Sequence, residues 1–208
     1  MSISIALCIV TGLISYQGFQ NRSIVEKLKH HPTSEHQKKE YYRMLSSGFV
    51  HGGWLHLLIN LFVLWQFGPV VEYEYQKVFG LVLGPLMFLF MYLSAIVIAD
   101  LPTYLKHKNN PSFAAIGASG AVSGVVFAYI LFHPWAQLAL YGIIPFRAIL
   151  GGVAYLVYSS WASKNRSDGI DHSAHFTGAL YGILFTIIFC PDVAQDFMSE
   201  LVDGFPLG

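Results

Sequence analysis

The chain has 208 residues, 54% of them hydrophobic and 12% charged, with a mean hydropathy of +0.51, which is too apolar for a water-soluble domain of this size. Lys plus Arg and Asp plus Glu both total 12, so the charge balance supports neither a nucleic acid nor an acidic partner. Cys8 and Cys190 lie in apolar runs near opposite ends with no C-x-x-C or metal-ligand spacing, which argues against a disulfide framework and leaves the redox compartment open.

In chain order, the first apolar run, Ile3 to Ile14, has no basic residue ahead of it and no A-x-A site at its end. It is therefore expected to be a retained membrane segment and not a cleaved signal. Crossing the hydrocarbon takes about 20 mostly apolar residues, and six runs approach that length: 2–19, 54–74, 78–99, 114–133, 144–162 and 174–190. The pattern predicts an all-α polytopic membrane protein, a bundle of six transmembrane helices over residues 1–190. Residues 20–53 are expected to form a membrane-associated loop, because Tyr41-Tyr42-Arg43 suits an interface where rings stay half buried and a cation reaches water. Lys106 to Pro111 separates the third run from the fourth, and Lys164 to Asp171 the fifth from the sixth. The tail, 191–208, carries Asp192, Asp196, Glu200 and Asp203 and is expected to be a short solvated helix or a frayed end.

Three polar features interrupt the apolar runs. His56 and Asn60, four residues apart, share one helix face. A polar pair in lipid must find partners, so by spacing alone it is as readily helix glue as the lining of a cavity. Gly117-Ala118-Ser119-Gly120 heads the fourth run, where Gly120 and Gly124 form a G-x-x-x-G pair. Gly178 and Gly182 repeat that spacing in the sixth run, with His175 about one turn before Gly178. Taken alone, G-x-x-x-G marks packing only. If these two small faces meet, Ser119 and His175 come within hydrogen-bond reach.

Together the features supply what acyl transfer needs: a nucleophile, a base and donors for the oxyanion. Ser119 would attack, His175 would serve as base and then acid, and the Ser119 backbone N–H with His56 and Asn60 would bind the developing charge. No acidic residue lies in the six runs away from their ends, so the predicted site is a Ser-His dyad. Its water must come through a polar cavity open to one face of the membrane. No cofactor or metal is expected, and other intramembrane proteases fit less well, with no H-E-x-x-H for a zinc site and no pair of mid-helix aspartates for aspartyl chemistry. A competing class, a haem or metal electron carrier, would use His56, His133 and His175. His172 is three residues before His175, so the choice of base rests on the A-H-x-x-G context.

From about Tyr42 to Gly182 the sequence resembles the rhomboid intramembrane serine proteases. Four motifs in order carry the resemblance: Tyr42-Arg43, the H-x-x-x-N of His56 and Asn60, Gly117-Ala118-Ser119-Gly120, and Ala174-His175 leading to Gly178 and Gly182. The resemblance implies a six-helix bundle whose partners are the lipid bilayer and single-span transmembrane substrates, cleaved in or near the spanning helix. It also implies a multi-pass location, the bacterial inner membrane for this minimal form, and a gate on the side of helices two and five. Trp54, Trp65, Phe146 and Trp161 are candidates to line that gate, or are interface anchors and core. His51 and Glu72 match structural positions of the family. The alternative function is a non-catalytic rhomboid-like protein that binds membrane clients.

One departure stands out. Many rhomboids place a tyrosine four residues after the nucleophile, stacked on the catalytic histidine, and here that residue is Ser123, which would either donate to His175 or only pack, packing being the favoured reading. Orientation is contested as well. Arg22, Lys27, Lys29, Lys38, Lys39, Arg43, Lys106, Lys108, Lys164 and Arg166 lie on the Ser119 side against Lys77 and Arg147 on the other, which by the positive-inside rule turns the mouth of the site to the cytoplasm. The resemblance implies the outer face, and that reading is followed here because a long loop folded onto the membrane does not count as a short one.

Overall fold

The computed structural model describes residues 2–140, 143–166 and 168–204. Helix α1 spans Ile3–Gln20, and the Ser2 side chain accepts a hydrogen bond from the Ile5 amide at its start. The first turn has a second partner far along the chain. The Glu72 carboxylate accepts from the Ile3 and Ser4 amides, both at 2.9 Å, and from the Ser2 and Ser4 hydroxyls at 2.7 and 2.9 Å. A buried carboxylate is tolerated there because it meets the free N–H groups and the positive end of a helix dipole. Glu72 thus has the structural role its position implied.

The stretch expected to be a loop is largely helical: α2 (Arg22–Leu28), α3 (Pro32–Lys38) and α4 (Tyr42–Ser46), then a 3₁₀ turn over Ser47–Phe49. Arg43 ties it together. Its guanidinium donates to the Glu26 and Lys29 carbonyls at 2.9 and 3.4 Å and to Glu40 at 2.6 Å, while the Tyr42 ring lies 5.5 Å from the charge.

The second and third runs form one long element, α5 (Trp54–His107), broken at Gly80, whose φ of 84° a side chain would strain. The two halves on either side of the break each exceed the roughly 20 residues that cross a bilayer. Helix α6 (Ser119–Phe132) starts later than the fourth run, at the serine itself, because Gly117 has a φ of 118° that no helix accommodates. Ten of its residues are buried on all sides, as expected of a central helix.

The chain is mostly helical, as expected, with one addition among the described residues: Gln137–Leu140 (β1) and Ile144–Arg147 (β2) pair antiparallel, with Gln137 opposite Arg147. The fifth run therefore becomes helical only at Ala148, as α7 (Ala148–Asn165). Helix α8 (His172–Phe189) is capped by the Asp171 side chain, which accepts from the Ala174 amide. Residues 192–203 form a short helix, one of the two expected forms, but a docked one: α9 (Asp192–Asp203) buries Val193, packs Phe197 on the core, and accepts a 2.7 Å bond from Trp135 at the Glu200 carbonyl. Residues 205–208 of the expected tail lie outside the described residues.

The core gathers α1, α5, α6 and α8 around fully buried Val71, Tyr75, Phe88, Met91, Tyr92 and Val125. By length and apolar composition α1, α5 and α8 can cross a membrane, and α6 is a shorter apolar helix. Their outer faces are large and apolar, with Leu81, Val82, Phe62 and Ile188 exposed, which suits lipid and not water.

Candidate active site

The site is built where α6 crosses α8. A Cβ on Gly178 would collide with the Gly120 carbonyl, and one on Gly182 with the Gly124 carbonyl, so the two backbones touch through glycine alone. The small faces do meet. That crossing places His175 Nε2 2.7 Å from Ser119 Oγ, a full hydrogen bond between half-buried side chains. A serine proton donated to an unprotonated Nε2 places the single N–H proton of the neutral ring on Nδ1. Among the described residues no carboxylate hydrogen-bonds His175.

The loop before Ser119 is held by three main-chain anchors. The Gly117 amide donates to the Ser47 carbonyl at 3.0 Å, and His30 and Ala115 exchange a pair of backbone bonds at 3.0 Å. The Ala118 amide donates to His51 Nε2 at 3.4 Å. With Nε2 accepting, His51 carries its proton on Nδ1 and donates to Ser15 Oγ at 2.9 Å, which donates in turn to the Phe49 carbonyl. Burial, with His56 beside it, pushes the His51 ring down to about 3, so it stays neutral and keeps this tautomer. With the Gly117 and Ala118 amides committed, the Ser119 amide lies in the first turn of α6, where no intrahelical acceptor exists.

His56 lies directly under this loop. A Cβ on Gly117 would come within 2.5 Å of His56 Cε1 and 2.7 Å of Nε2, so the first glycine of the serine motif lets the imidazole approach the serine loop. The His51 and His56 rings meet edge to face at 4.8 Å. Asn60, buried one turn further along α5, donates to the His56 carbonyl at 2.8 Å and keeps its other N–H.

The expected packing role of Ser123 is corrected. Its hydroxyl donates to the Ser119 carbonyl at 2.8 Å and lies 2.6 Å from the Tyr155 hydroxyl. Tyr155, which the sequence pattern did not single out, stacks on His175 with ring centroids 6.3 Å apart and an interplanar angle of 24°. His172 is buried, within 3.3 Å of Asp168, and meets His175 edge-on at 5.8 Å. His133 closes the opposite end of α6, about 20 Å along the helix axis from Ser119, where it pairs with Glu74 at 3.2 Å. The three histidines of the electron-carrier reading are therefore not brought together. Trp54, Trp65 and Trp161 are half exposed or more, while the Phe146 ring packs on Gly151.

Comparisons with known proteins point to one family. The family model described as Rhomboid domain matches residues 38–192. Rhomboid-like protein 11, chloroplastic, of Arabidopsis thaliana is 29% identical over 161 residues, covering 72% of this chain and 52% of the relative. Human presenilin-associated rhomboid-like protein, mitochondrial, is 30% identical over 146 residues, 68% of this chain and 36% of its own. Bacillus subtilis (strain 168) YdcA, whose name gives rhomboid protease as a provisional assignment, is 28% identical over 149 residues, 72% of this chain and 67% of its own. The chain thus spans about half or less of the chloroplast and mitochondrial relatives.

Proposed function

Because this chain belongs to the rhomboid family and is an integral membrane protein, we propose that it is an intramembrane serine endopeptidase with a Ser119-His175 dyad. The observation that carries this reading is the 2.7 Å bond from Ser119 Oγ to His175 Nε2 at the head of an apolar helix. Ser119 Oγ attacks the scissile carbonyl carbon as its proton passes to Nε2. The carbonyl oxygen, now negative, is met by the Ser119 amide, the free N–H of Asn60 and the His56 ring. The imidazolium then protonates the leaving amine, and His175 takes a proton from water to hydrolyse the acyl-enzyme.

The substrates in this reading are single-span membrane proteins, cleaved in or near the spanning helix, as the resemblance to the family implies. In this reading α5 crosses twice, and α1, α6, α7 and α8 once each. The membrane is a bacterial inner membrane, with the mouth of the site on its outer face. The family includes rhomboid-like relatives whose names claim no protease activity, so the alternative is a protein that binds membrane clients without cutting them.

The test is cleavage of a single-span test substrate in liposomes by the wild type, Ser119→Ala and His175→Ala. Cleavage by the wild type alone is expected. A folded wild type that binds substrates and cuts none contradicts the reading in favour of the client-binding alternative.

A further inference from the structure

The inward stripe of α7 is Ala148, Gly152, Tyr155, Ser159 and Ala162. Four of these are small. Tyr155 is the large side chain of this stripe; Ile149 and Leu156 of α7 also pack inward, but it is Tyr155 whose ring reaches His175.

Its two ends are fixed in different ways. The Ser123 hydroxyl proton is committed to the Ser119 carbonyl, so Tyr155 O–H is the donor in the 2.6 Å bond to Ser123 Oγ. The ring meets Phe127 at 5.9 Å and lies near-parallel to His175 at 6.3 Å, within the range of offset-stacked pairs. The His175 ring thus has the Tyr155 ring near-parallel to it and the His172 ring perpendicular to it. His172 is itself fixed by Asp168 and by the Tyr158 ring at 5.5 Å. With no carboxylate hydrogen-bonded to the His175 ring among the described residues, these two ring contacts determine the plane in which Nε2 points at Ser119.

We propose that Tyr155, anchored by Ser123, is a positioning residue that keeps the His175 imidazole aimed at Ser119. The assignment rests on the protease reading above and answers how the histidine is oriented when residue 123 is a serine. It makes Ser123 and Tyr155 a matched pair: the short side chain on α6 leaves room for a ring from α7 and supplies the acceptor that holds it.

The test compares Tyr155→Ala, Tyr155→Phe and Ser123→Ala with the wild type, using kcat and KM on a single-span test substrate, thermal midpoint, and the NMR shift of the His175 ring protons. Those protons are assigned by their loss in His175→Ala. Removing the ring is expected to lower kcat by at least about tenfold with KM nearly unchanged, since a misaimed catalytic group costs up to about 100-fold. Tyr155→Phe keeps the ring and recovers most of that loss. Ser123→Ala gives a smaller decrease than Tyr155→Ala. The His175 ring-current shift should move in Tyr155→Ala and persist in Tyr155→Phe. Wild-type kcat and an unmoved His175 shift in a folded Tyr155→Ala overturn the assignment alone. A wild type that neither cleaves nor reacts at Ser119 overturns the protease reading and this assignment with it.

Discussion

Ser119 and His175 are 56 residues apart in the chain and 2.7 Å apart in space, and the distance closes only because four glycines let two helices touch. At this scale the pairing was legible, since the repeat of Gly120/Gly124 by Gly178/Gly182 predicts the contact. The surroundings of the histidine were not. Nothing in local spacing links Tyr155 to Ser123, because the link runs between helices and depends on which face of α7 turns inward. Asn60 carries a sharper prediction: Asn60→Ala should lower kcat by about 10²-fold or more, the usual loss for one oxyanion donor, with the thermal midpoint as control for its bond to the His56 carbonyl. His51 acts on the loop and not on the substrate. His51→Ala, which frees the Ala118 amide, is expected to cost about 1–3 kcal/mol of stability and to lower activity through a displaced Ser119.

Among the elements, the segment between α1 and α5 departs most from its expected form. Charged and rich in histidine, it looks like an interfacial loop, yet it forms three short helices held by Arg43 and by a buried His30-Glu35 pair at 2.7 Å. Burial pushes His30 down, but its bond to Glu35 and the nearby carboxylates Asp100, Glu35 and Asp171 outweigh burial and raise it. A raised histidine stabilises the fold fully below its unfolded value of about 6.5 and loses that contribution as pH rises through the folded value. The thermal midpoint should therefore fall as pH rises above about 6.5, and Glu35→Gln should flatten that slope. Since His30 pairs with Ala115, the same variant should loosen the serine loop. The α6-α8 crossing gives the opposite kind of test. Gly178→Ala drives a methyl into the Gly120 carbonyl and should destabilise by about 1–3 kcal/mol or more, with activity lost in parallel.

For the whole molecule, each hydrophobic run falls on a helix, although the third run stops at residue 99 where α5 continues to His107. The runs fail where an apolar stretch continues outside a helix, at residues 144–147 in β2 and 114–118 before Ser119. Run length cannot distinguish a buried strand or loop from a helix turn, whereas the φ of Gly117 and the pairing of β1 with β2 do. The docked α9 was hidden for a related reason: its acidic face signals solvent, and the Trp135 bond and the buried Val193 that hold it come from elsewhere in the fold. Orientation follows from neither helix length nor packing. With Cys8 and Cys190 replaced by serine, a cysteine at the exposed Lys27 position should react with an impermeant maleimide applied to intact cells if the site opens outward. Labelling only after lysis would support the charge rule and a cytoplasmic mouth.

The central claim is that His175 activates Ser119, and the most direct measurement is the mass-spectrometric mapping of a fluorophosphonate adduct on folded, detergent-solubilised protein. A single adduct at Ser119 in the wild type, lost in His175→Ala while the thermal midpoint is kept, is the predicted result. A folded wild type with no adduct at Ser119, or a His175→Ala variant labelled as fast as the wild type, would contradict it.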